Sequence, residues 1–561
     1  MTKSKRRPRL LPLLLAFCMF STGASGLVNE YVLATITTYI LGNSIEQFSI
    51  VIASMMLMMG ISGFVQSRLS DTHLFYQFVG VEVLMAILGG FAPLAIYGAF
   101  GYLEYNFTIV HYFFVLSVGF LIGFEIPIVM RIINEQEINL KTNLAIVYAM
   151  DYVGAFVGAI IWVKFLLKYY PLTEISFIVA GFNFAIAFIT VCYFIYAGVI
   201  KHRLYTIIIM TLTVVILLFG YFNNRDISDL FEQRFYDDPI ILKTTTKYQH
   251  IVVTENKALG DIRLYINGNT QFSSLDEKRY HDLLVHPVMS LINKPVHVLI
   301  LGGGDGLALR EVLKYRSLKS VTLVDLDPDM IKLASHNPQL RKLNKNAFHD
   351  ARLHVDTPGN VQSLNVKGIY LESKDSISNK SESEWVATVD VYSIDADQFI
   401  RSGNKRVWDI VIIDFPDPSS VELSKLYSKQ FYYTLRKRLS SQAYVSIQST
   451  SPYHSKESFL AIGNTLKAAG FNILPFRHNI PSFGDWGFHL AWTSGVSESD
   501  IKNKLKRVAN FAVETEYVTP ELMMASFAFG KGELTSKTNC INTVMFPCLL
   551  TNYTNYGWQV D

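Results

Sequence analysis

The sequence has few cysteines and no surplus of charge of either sign. Four cysteines in 561 residues are too few for a disulfide framework, although Cys540 and Cys548 could pair. Cys18 and Cys192 lie inside apolar runs, where we interpret them as small buried hydrophobic residues. The formal net charge is only +3, and no basic stripe with interleaved aromatic residues occurs. We therefore expect no nucleic-acid binding.

What the sequence does contain is a long apolar first half. Hydrophobic residues make up 50% of the chain, and their excess lies almost entirely before Phe222. A helix that crosses the hydrocarbon core of a bilayer needs about 20 mostly apolar residues. The sequence therefore predicts a multi-pass α-helical membrane domain over residues 1–225, in the lipid bilayer of the cell membrane. The apolar stretches, about seven in number, are 10–41, 48–65, 75–103, 107–132, 144–167, 175–200 and 204–222.

Four acidic residues fall within or near these stretches: Glu30, Glu82, Glu125 and Asp151. An ionised carboxylate that faces lipid is costly, so such residues usually face the interior of a helix bundle and are candidates for function. Glu30 and Glu82 also suit a structural hydrogen bond or an interfacial position. Asp151, in "YAMDYVGAFVGA", is a candidate cation ligand, and the glycines around it suit close helix packing.

After residue 225 the pattern changes to strands that alternate with helices. Residues 226–288 predict a linker and a small antiparallel β domain, in which "HIVVT" and "IRLYI" are strands and Asn267 and Gly268 form a turn. Residues 289–500 predict a Rossmann-like α/β domain with a parallel, doubly wound sheet, whose ligands bind at the carboxyl ends of the strands. Within it, residues 356–390 form a Ser- and charge-rich insertion, which we expect to be a surface excursion. Residues 501–561 are a tail without a functional signal.

Residues typical of a nucleoside site follow three of the predicted strands. The glycines of "LGGGDG" permit a tight turn and a close backbone approach to a ligand. Asp325 ends the next strand about 20 residues on, where a carboxylate can accept hydrogen bonds from ribose hydroxyls, or can cap a helix. Asp395 and Ala396 fall near the third strand end and suit an adenine edge. The glycine spacing favours a nucleoside over a dinucleotide.

Asp305 lies inside the glycine turn and separates the candidate ligands. S-adenosylmethionine carries a carboxylate, which an acid in this turn repels at close range. Decarboxylated S-adenosylmethionine has lost that group and keeps its ammonium, so the same acid attracts it. The sequence thus favours the decarboxylated compound.

These residues belong to a longer series of motifs that resembles the spermidine synthases, the polyamine aminopropyltransferases. The resemblance covers roughly residues 247–492 and implies a methyltransferase-type α/β fold and a homo-oligomer. The apolar first half is similar to the membrane-bound branch of that family. One departure is Phe415 and Pro416, which replace the two serines often found there and put the shape of the amine pocket in question. The motifs are "YQ" at Tyr248, "QFSSLDEKRYH" at 271–281, "GGGDG", "VDLD", "DADQF" and "DFPDP" at 414–418.

The resemblance also implies a role for each matching residue. It implies decarboxylated S-adenosylmethionine as co-substrate and putrescine or a related polyamine as acceptor, with no metal and no tightly bound cofactor. Asp414 is implied as the catalytic acid that takes the proton of the attacking amine. The implied substrate-binding residues are Tyr280, Asp417 and Trp486. The implied co-substrate-binding residues are Gln249, Gln271, Asp305, Asp325, Asp395 and Ala396.

The chemistry of such a transfer explains why two acids would be needed. Displacement at the carbon next to a sulfonium needs little help for the leaving group, so catalysis must hold a free amine in line. A diamine is protonated at neutral pH, so carboxylates must attract it and one must accept a proton. Asp414 and Asp417 can do both, although a solvated proline turn is the structural alternative. Two other functions stay open: an S-adenosylmethionine methyltransferase, and a polyamine transporter or sensor with a regulatory or inactive synthase-like domain.

Two arguments make opposite predictions about the side of the membrane on which the second half of the chain lies. The basic start "KSKRRPR" followed by "LLPLLLAFCMF" and "STGASG" resembles a signal peptide, but the apolar character resumes at once, which favours an uncleaved first helix. A cytoplasmic N-terminus and an odd number of spans place the second half outside. Because its co-substrate is a cytosolic metabolite, we nevertheless expect a cytoplasmic catalytic domain.

Overall fold

A computed structural model of the chain describes residues 11–41, 44–71, 74–103, 106–135, 140–198, 200, 202–292, 297–350, 388–402 and 406–557. The chain divides into two compact units, Met1–Asp237 and Asp238–Asp561. The first unit is helical and the second contains both sheets.

The helical unit consists of long apolar helices where the sequence predicts them. Seven helices in the described part of the chain are long and apolar enough to cross a membrane. The prediction of about seven long apolar helices is therefore confirmed. The helices are α1 Leu11–Leu41, α2 Ser44–Gln66, α3 Leu74–Leu103, α4 Phe107–Glu135, α5 Leu140–Ile161 continued by a π-helical turn Trp162–Leu166 into α6 Leu167–Tyr169, α7 Leu172–Tyr196 and α8 Arg203–Gln233.

Small residues let these helices approach closely. A Cβ atom on Gly154 of α5 would lie 1.9 Å from the carbonyl oxygen of Phe20 in α1. One on Gly158 would lie 2.6 Å from the carbonyl oxygen of Ala24. Only glycine permits this contact, as in the small-residue crossings of membrane helices. The glycines beside Asp151 thus have the packing role that their sequence context predicts.

The outer surface of the helical unit carries large apolar side chains, among them Phe156 and Phe222. Such a surface is unusual on a protein surrounded by water. Cys18 is buried, as predicted, but Cys192 is exposed. The prediction for Cys192 was wrong, because an apolar run in a helix has two faces and this residue lies on the outward one.

The second unit begins with a four-stranded antiparallel sheet in the order β1-β2-β3-β4. Asn267 and Gly268 join its last two strands with φ angles of 50° and 80°, which suits the tight turn of a β-hairpin. The small antiparallel sheet and its turn therefore occur where the sequence predicts them. The strands are β1 Ile240–Thr245, β2 His250–Asn256, β3 Asp261–Ile266 and β4 Asn269–Ser273.

A seven-stranded sheet forms the centre of the unit, in the order β10-β11-β9-β8-β5-β6-β7. Five neighbouring strands, β9 to β7 in that order, are parallel, whereas β11 pairs antiparallel with both β9 and β10. The sheet is therefore mixed, and the prediction of a parallel sheet was wrong at this edge. The strands are β5 His297–Gly302, β6 Ser320–Asp325, β7 Thr388–Ser393, β8 Trp408–Asp414, β9 Leu439–Gln448, β10 Asn472–Ile480 and β11 Gly484–Trp492.

The antiparallel edge has a local cause. Only a short turn separates β10 from β11, and strands joined by so short a connection pair antiparallel, since a parallel pair needs a crossover of a dozen or more residues. In the parallel part, Val298 to Leu301 of β5 are all fully buried. Such a continuous apolar run is typical of a strand covered on both faces.

Helices connect and cover the strands of this unit. The predicted insertion, 356–390, lies outside the described residues up to 387, and its last three residues begin β7. In the tail, Cys540 and Cys548 form a disulfide. The helices are α9 Glu277–Met289, α10 Leu307–Leu313, α11 Pro328–His336, α12 Pro338–Leu343, α13 Ala396–Arg401, α14 Val421–Leu426, α15 Lys429–Arg436, α16 Lys456–Ala468, α17 Glu498–Lys506, α18 Pro520–Ala525 and α19 Cys548–Tyr556, with a 3-10 turn at Ala347–His349.

Candidate active site

Three of the predicted site acids meet at the carboxyl ends of adjacent parallel strands. Asp325 ends β6 and Asp414 ends β8, and both strands pair with β5, which leads into the turn that holds Asp305. Gly302 and Asp414 are directly paired, and a Cβ atom on Gly302 would lie 2.2 Å from the Asp414 carbonyl oxygen. Glycine at this position therefore allows the turn to pass against β8.

The glycine turn is fastened to Asp325. The backbone N–H of Gly304 donates to Asp325 Oδ2 at 3.0 Å, and that of Asp327 donates to Asp325 Oδ1 at 2.8 Å. A Cβ atom on Gly304 would lie 2.8 Å from this carboxylate. Burial raises the pKa of Asp325 to about 6, although the two N–H donors act in the opposite direction. The carboxylate is thus held by the backbone at the edge of the turn.

Asp305 points into the same region from the turn itself. Its Oδ1 accepts a hydrogen bond of 2.9 Å from the backbone N–H of Leu307, the first residue of α10. Burial raises the pKa of Asp305, and the charge of His281 partly offsets this. A buried carboxylate next to a cation is suited to attract a second positive group.

Asp414 shares a short hydrogen bond with a buried tyrosine. Tyr280, from α9, donates a 2.5 Å hydrogen bond from its hydroxyl to Asp414 Oδ1. Burial raises the pKa of Asp414 to about 6, with His281 and Tyr280 lowering it and Asp305 raising it further. Burial and Asp414 together hold the pKa of Tyr280 well above its usual range, so the phenol stays a donor. A carboxyl whose pKa lies close to neutrality can act as a base in this pocket.

His281 was not among the predicted site residues, yet it interacts electrostatically with two of them. Its Nδ1 lies 2.9 Å from Glu277 Oε2, and its ring packs against Tyr280 with centroids 4.9 Å apart. Burial lowers the pKa of His281, but Glu277, Asp305 and Asp414 outweigh this and raise it to about 9. The imidazole is therefore a cation at neutral pH that interacts electrostatically with two site acids. The spacing of Glu277 and His281, four residues apart in the "DEKRYH" motif, was the available signal.

Glu277, the partner of His281, belongs to a buried network of charged side chains. Arg310 donates to both carboxylate oxygens of Glu277 at 2.9 Å. Asp282, His286 and Glu311 place one ligand atom each within 4.8 Å of one another, a spacing that could hold a metal ion. Glu311, however, already pairs with Arg310 at 2.7 Å and with Lys314 at 2.5 Å. Because these cations neutralise it, the cluster acts as an ion network that fixes α9 against α10.

Asp417 is held by three side chains from two segments, the end of β9 and α19. Thr450 Oγ1 and the Tyr553 hydroxyl each donate to Asp417 Oδ2 at 3.0 Å, and Gln448 Nε2 donates to Oδ1 at 3.3 Å. Tyr553 lies on α19, in the tail for which no function is predicted from the sequence. Phe415, the first departure from the usual motif, is buried and packs on Tyr427 with ring centroids 6.2 Å apart.

Aromatic side chains continue from Tyr280 to the turn between β10 and β11. Trp486 is buried and packs on Phe483 with ring centroids 4.8 Å apart, and Phe483 lies 6.1 Å from Tyr280. Asp276 fixes the turn, because it accepts hydrogen bonds from the backbone N–H and the hydroxyl of Ser482 at 2.6 and 2.9 Å. These ring contacts connect Trp486 to Tyr280 through Phe483.

The remaining predicted residues take positions around this centre. Gln249 follows the turn before β2, and its side chain hydrogen-bonds Asp327. Gln271 lies in β4, and its amide donates to the Asn269 carbonyl oxygen at 3.2 Å. Asp395 follows β7 and caps α13 by accepting from the Gln398 N–H at 2.8 Å, with Ala396 buried beside it.

The fold and the site define an α/β group-transfer enzyme with an acidic pocket at the carboxyl edge of its sheet. Residues 277–384 and 373–503 match the spermine/spermidine synthase domain. A polyamine aminopropyltransferase of Oceanobacillus iheyensis is 32% identical over 95% of both chains. One of Leptospira interrogans is 35% identical over 86% of this chain and 88% of its own length. A spermidine synthase structure from Thermotoga maritima is 24% identical, covers 53% of this chain and 87% of its own, and has a TM-score of 0.41.

The chain belongs to the polyamine aminopropyltransferase family. It is therefore a transferase of this type, as the sequence motifs imply.

Proposed function

We propose that the chain transfers the aminopropyl group of decarboxylated S-adenosylmethionine to a diamine such as putrescine, giving spermidine and methylthioadenosine. The observation that carries this proposal is the buried group of Asp305, Asp414 and His281, in which both acids interact with the same imidazolium. A pocket with an excess of carboxylates suits two partners that carry ammonium groups and no carboxylate. The names of the relatives support the same reaction.

In the proposed complex, residues at the strand ends and in the small sheet contact the different parts of the co-substrate. Asp325, fixed by two backbone N–H groups, accepts hydrogen bonds from the ribose hydroxyls. Asp395 and Ala396, at the end of β7, contact the adenine. Asp305 holds the ammonium of the aminopropyl chain, and Gln249 and Gln271 line the pocket from the small sheet.

The transfer step needs a free amine and a place for its proton. One proton of the acceptor ammonium passes to Asp414, whose pKa of about 6 lets it be ionised at neutral pH. The amine nitrogen then attacks the carbon next to the sulfonium. The new N–C bond forms as the C–S bond breaks. The electron pair of the C–S bond stays on sulfur, and neutral methylthioadenosine leaves. Tyr280 holds Asp414 in place, while Asp417 and Trp486 hold the rest of the diamine.

Binding selectivity tests this assignment at Asp305. We expect the wild-type protein to bind decarboxylated S-adenosylmethionine more tightly than S-adenosylmethionine, and Asp305→Asn to lose most of this preference. Isothermal titration with both compounds measures it. The matched control is Asp329→Asn, an exposed acid at the start of α11, which should leave the preference unchanged. Equal affinity of the wild-type protein for both compounds would favour a methyltransferase instead.

The helical unit suggests where the reaction takes place. We use the name catalytic unit for the second unit, Asp238–Asp561. We propose that the seven helices of the first unit span the cell membrane and that the catalytic unit faces the cytoplasm, where the co-substrate is made. Two observations favour the opposite side: seven spans after a basic N-terminus, and the Cys540–Cys548 disulfide, a bond typical of oxidising compartments. Protease added outside intact spheroplasts decides between them. Protection of the catalytic unit supports the cytoplasmic side, and its digestion contradicts it.

The resemblance also supports a homo-oligomer. Sedimentation of the full chain in detergent, with the detergent contribution subtracted, measures the assembled mass. A mass of two or more chains is expected, and a single-chain mass contradicts this proposal.

A second candidate function, transport or sensing of polyamines, rests on the acids of the helical unit. Glu125 is fully buried, and neither of its carboxylate oxygens has a hydrogen-bond partner among the described residues. It interacts electrostatically with Glu82, which is 1% exposed, and with Asp151. Acids buried among apolar helices usually pair or mark an ion path. A cationic amine between them would offset their mutual repulsion.

Flux of labelled putrescine into vesicles containing the full chain tests this second function. Transport predicts uptake that is lost in Glu125→Gln and in Asp151→Asn but kept in Asp414→Asn. Absence of uptake would assign the helices to anchoring alone, and uptake unchanged in all three variants would show that these acids do not carry it.

A further inference from the structure

The last residues of the chain form a strap over the catalytic unit. We use the name C-terminal strap for residues 536–557, which include the Cys540–Cys548 disulfide and α19. Its first tie is Glu457, near the start of α16, which accepts hydrogen bonds from Ser536 Oγ at 2.7 Å and from the backbone N–H groups of Lys537 and Thr538. Burial raises the pKa of Glu457, but these donors outweigh it and lower the pKa overall, so the tie is an ionised carboxylate at neutral pH.

A second tie holds the middle of the strap across two helices. The Asn542 backbone N–H donates to Thr465 Oγ1 of α16 at 2.9 Å, and its side-chain amide donates to the Ser424 carbonyl oxygen of α14 at 2.7 Å. Lys429 N–H in turn donates to the Asn542 carbonyl oxygen at 2.8 Å. Asn542 is fully buried and lies inside the loop that the Cys540–Cys548 disulfide closes. The strap is therefore fixed just before α19 begins.

The strap ends by presenting Tyr553 to a site acid. The Tyr553 hydroxyl donates to Asp417 Oδ2 at 3.0 Å, the same oxygen that accepts from Thr450 Oγ1. Asp417 and Asp414 both act electrostatically on the hydroxyls of Tyr280 and Tyr427, so the two acids lie near the same pair of tyrosines. Two O–H donors on one carboxylate oxygen stabilise its charge and fix its rotation.

We propose that Tyr553 is a positioning residue that sets the acceptor specificity by holding Asp417 towards the distant ammonium of a diamine. This inference rests on the proposed aminopropyl transfer, in which Asp414 takes the proton of the attacking amine. A carboxylate fixed at a set separation from Asp414 binds the second ammonium group of a diamine and so strengthens its binding. An acceptor with one amine has no group that Asp417 can bind, so Tyr553 should not affect its binding.

The test compares Tyr553→Phe with a matched variant on the same helix, Tyr556→Phe, whose side chain is 58% exposed. Putrescine and n-butylamine serve as acceptors of similar length with two and one amines. Release of methylthioadenosine by the full chain in detergent gives KM and kcat for each acceptor, and KM for decarboxylated S-adenosylmethionine reports on the rest of the pocket.

We expect Tyr553→Phe to raise the KM for putrescine about tenfold, as loss of one hydrogen bond to a charged group implies. The preference for putrescine over n-butylamine should fall by the same factor, while the KM for decarboxylated S-adenosylmethionine and the behaviour of Tyr556→Phe stay as in wild type. An unchanged preference, or an equal loss with both amines, overturns the inference. A wild-type protein that releases no methylthioadenosine with putrescine removes the proposed function itself, which is a separate outcome.

Discussion

The Tyr280 hydroxyl and the Asp414 carboxylate are joined by a 2.5 Å hydrogen bond between residues 134 positions apart in the chain. Tyr280 is carried by α9, which follows the small sheet, and Asp414 ends a central strand of the large one. The bond therefore connects α9 to the large sheet at the acid proposed to accept the proton. Because the phenol can only donate here, it favours the ionised, proton-accepting form of Asp414.

Replacing the proposed base should slow transfer without removing co-substrate binding. Asp414→Asn keeps the size of the side chain but cannot accept the proton, so kcat should fall about 10²- to 10⁴-fold. The affinity for decarboxylated S-adenosylmethionine should stay within about threefold, since the proposed contacts to that compound come mainly from other residues. Methylthioadenosine release and isothermal titration measure the two quantities. A kcat within a factor of five of wild type would show that Asp414 is not the base.

The pH dependence of the wild-type enzyme should reveal the same acid. Asp414 acts only when ionised and its pKa is raised to about 6, so kcat/KM for the diamine should hold above that pH and fall below it. Tyr280→Phe removes a donor that lowers this pKa, and the acid limb should then move to higher pH. An acid limb that stays in place in Tyr280→Phe would separate it from Asp414.

Replacing His281 should also shift the acid limb of the pH profile, independently of Tyr280. Its positive charge lowers the pKa of both Asp305 and Asp414, and its own pKa of about 9 keeps it charged through neutrality. His281→Gln should therefore raise the pKa of both acids and weaken activity most at low pH. Activity profiles from pH 5 to 8 test this. Equal loss at every pH would point to a packing role alone.

The buried ion network should matter for stability more than surface pairs do. Glu277→Gln leaves Arg310 and His281 with a neutral partner in a buried place, and breaking such a pair typically costs about 3–5 kcal/mol. The matched control is Glu498→Gln, whose partner Lys502 lies 2.8 Å away on the exposed face of α17. An exposed pair is worth at most about 1 kcal/mol.

Thermal unfolding of the catalytic unit, followed by near-ultraviolet circular dichroism of the full chain, compares the two substitutions. The Tm should fall markedly in Glu277→Gln and barely in Glu498→Gln. Similar Tm values for both variants would mean that the network does not stabilise the fold.

Local patterns predicted the elements that depend on local chemistry. The apolar runs predicted the seven long helices, and Asn267 with Gly268 predicted a hairpin turn because both adopt positive φ. The antiparallel β10–β11 edge was missed. Polar residues such as Arg477 and Asn479 interrupt β10, and only a short turn connects it to β11, so neither strand has the continuous apolar run of β5.

The site divides in the same way. Asp305, Asp325 and Asp414 could be predicted to lie together, since each follows a strand and parallel strands end at one edge of the sheet. The contact of Tyr553 with Asp417 spans 136 residues and depends on how the strap packs across α14 and α16. No pattern near Tyr553 encodes that packing.

The most direct test of the account is a product assay on the full chain in detergent, with decarboxylated S-adenosylmethionine and putrescine as substrates. Methylthioadenosine and spermidine, separated by chromatography, should form in equal amounts, and S-adenosylmethionine should not replace the decarboxylated compound. The Asp414→Asn variant, run in parallel, should give little of either product. Absence of both products from the wild-type chain, where a soluble spermidine synthase forms them under the same conditions, would contradict the proposed reaction.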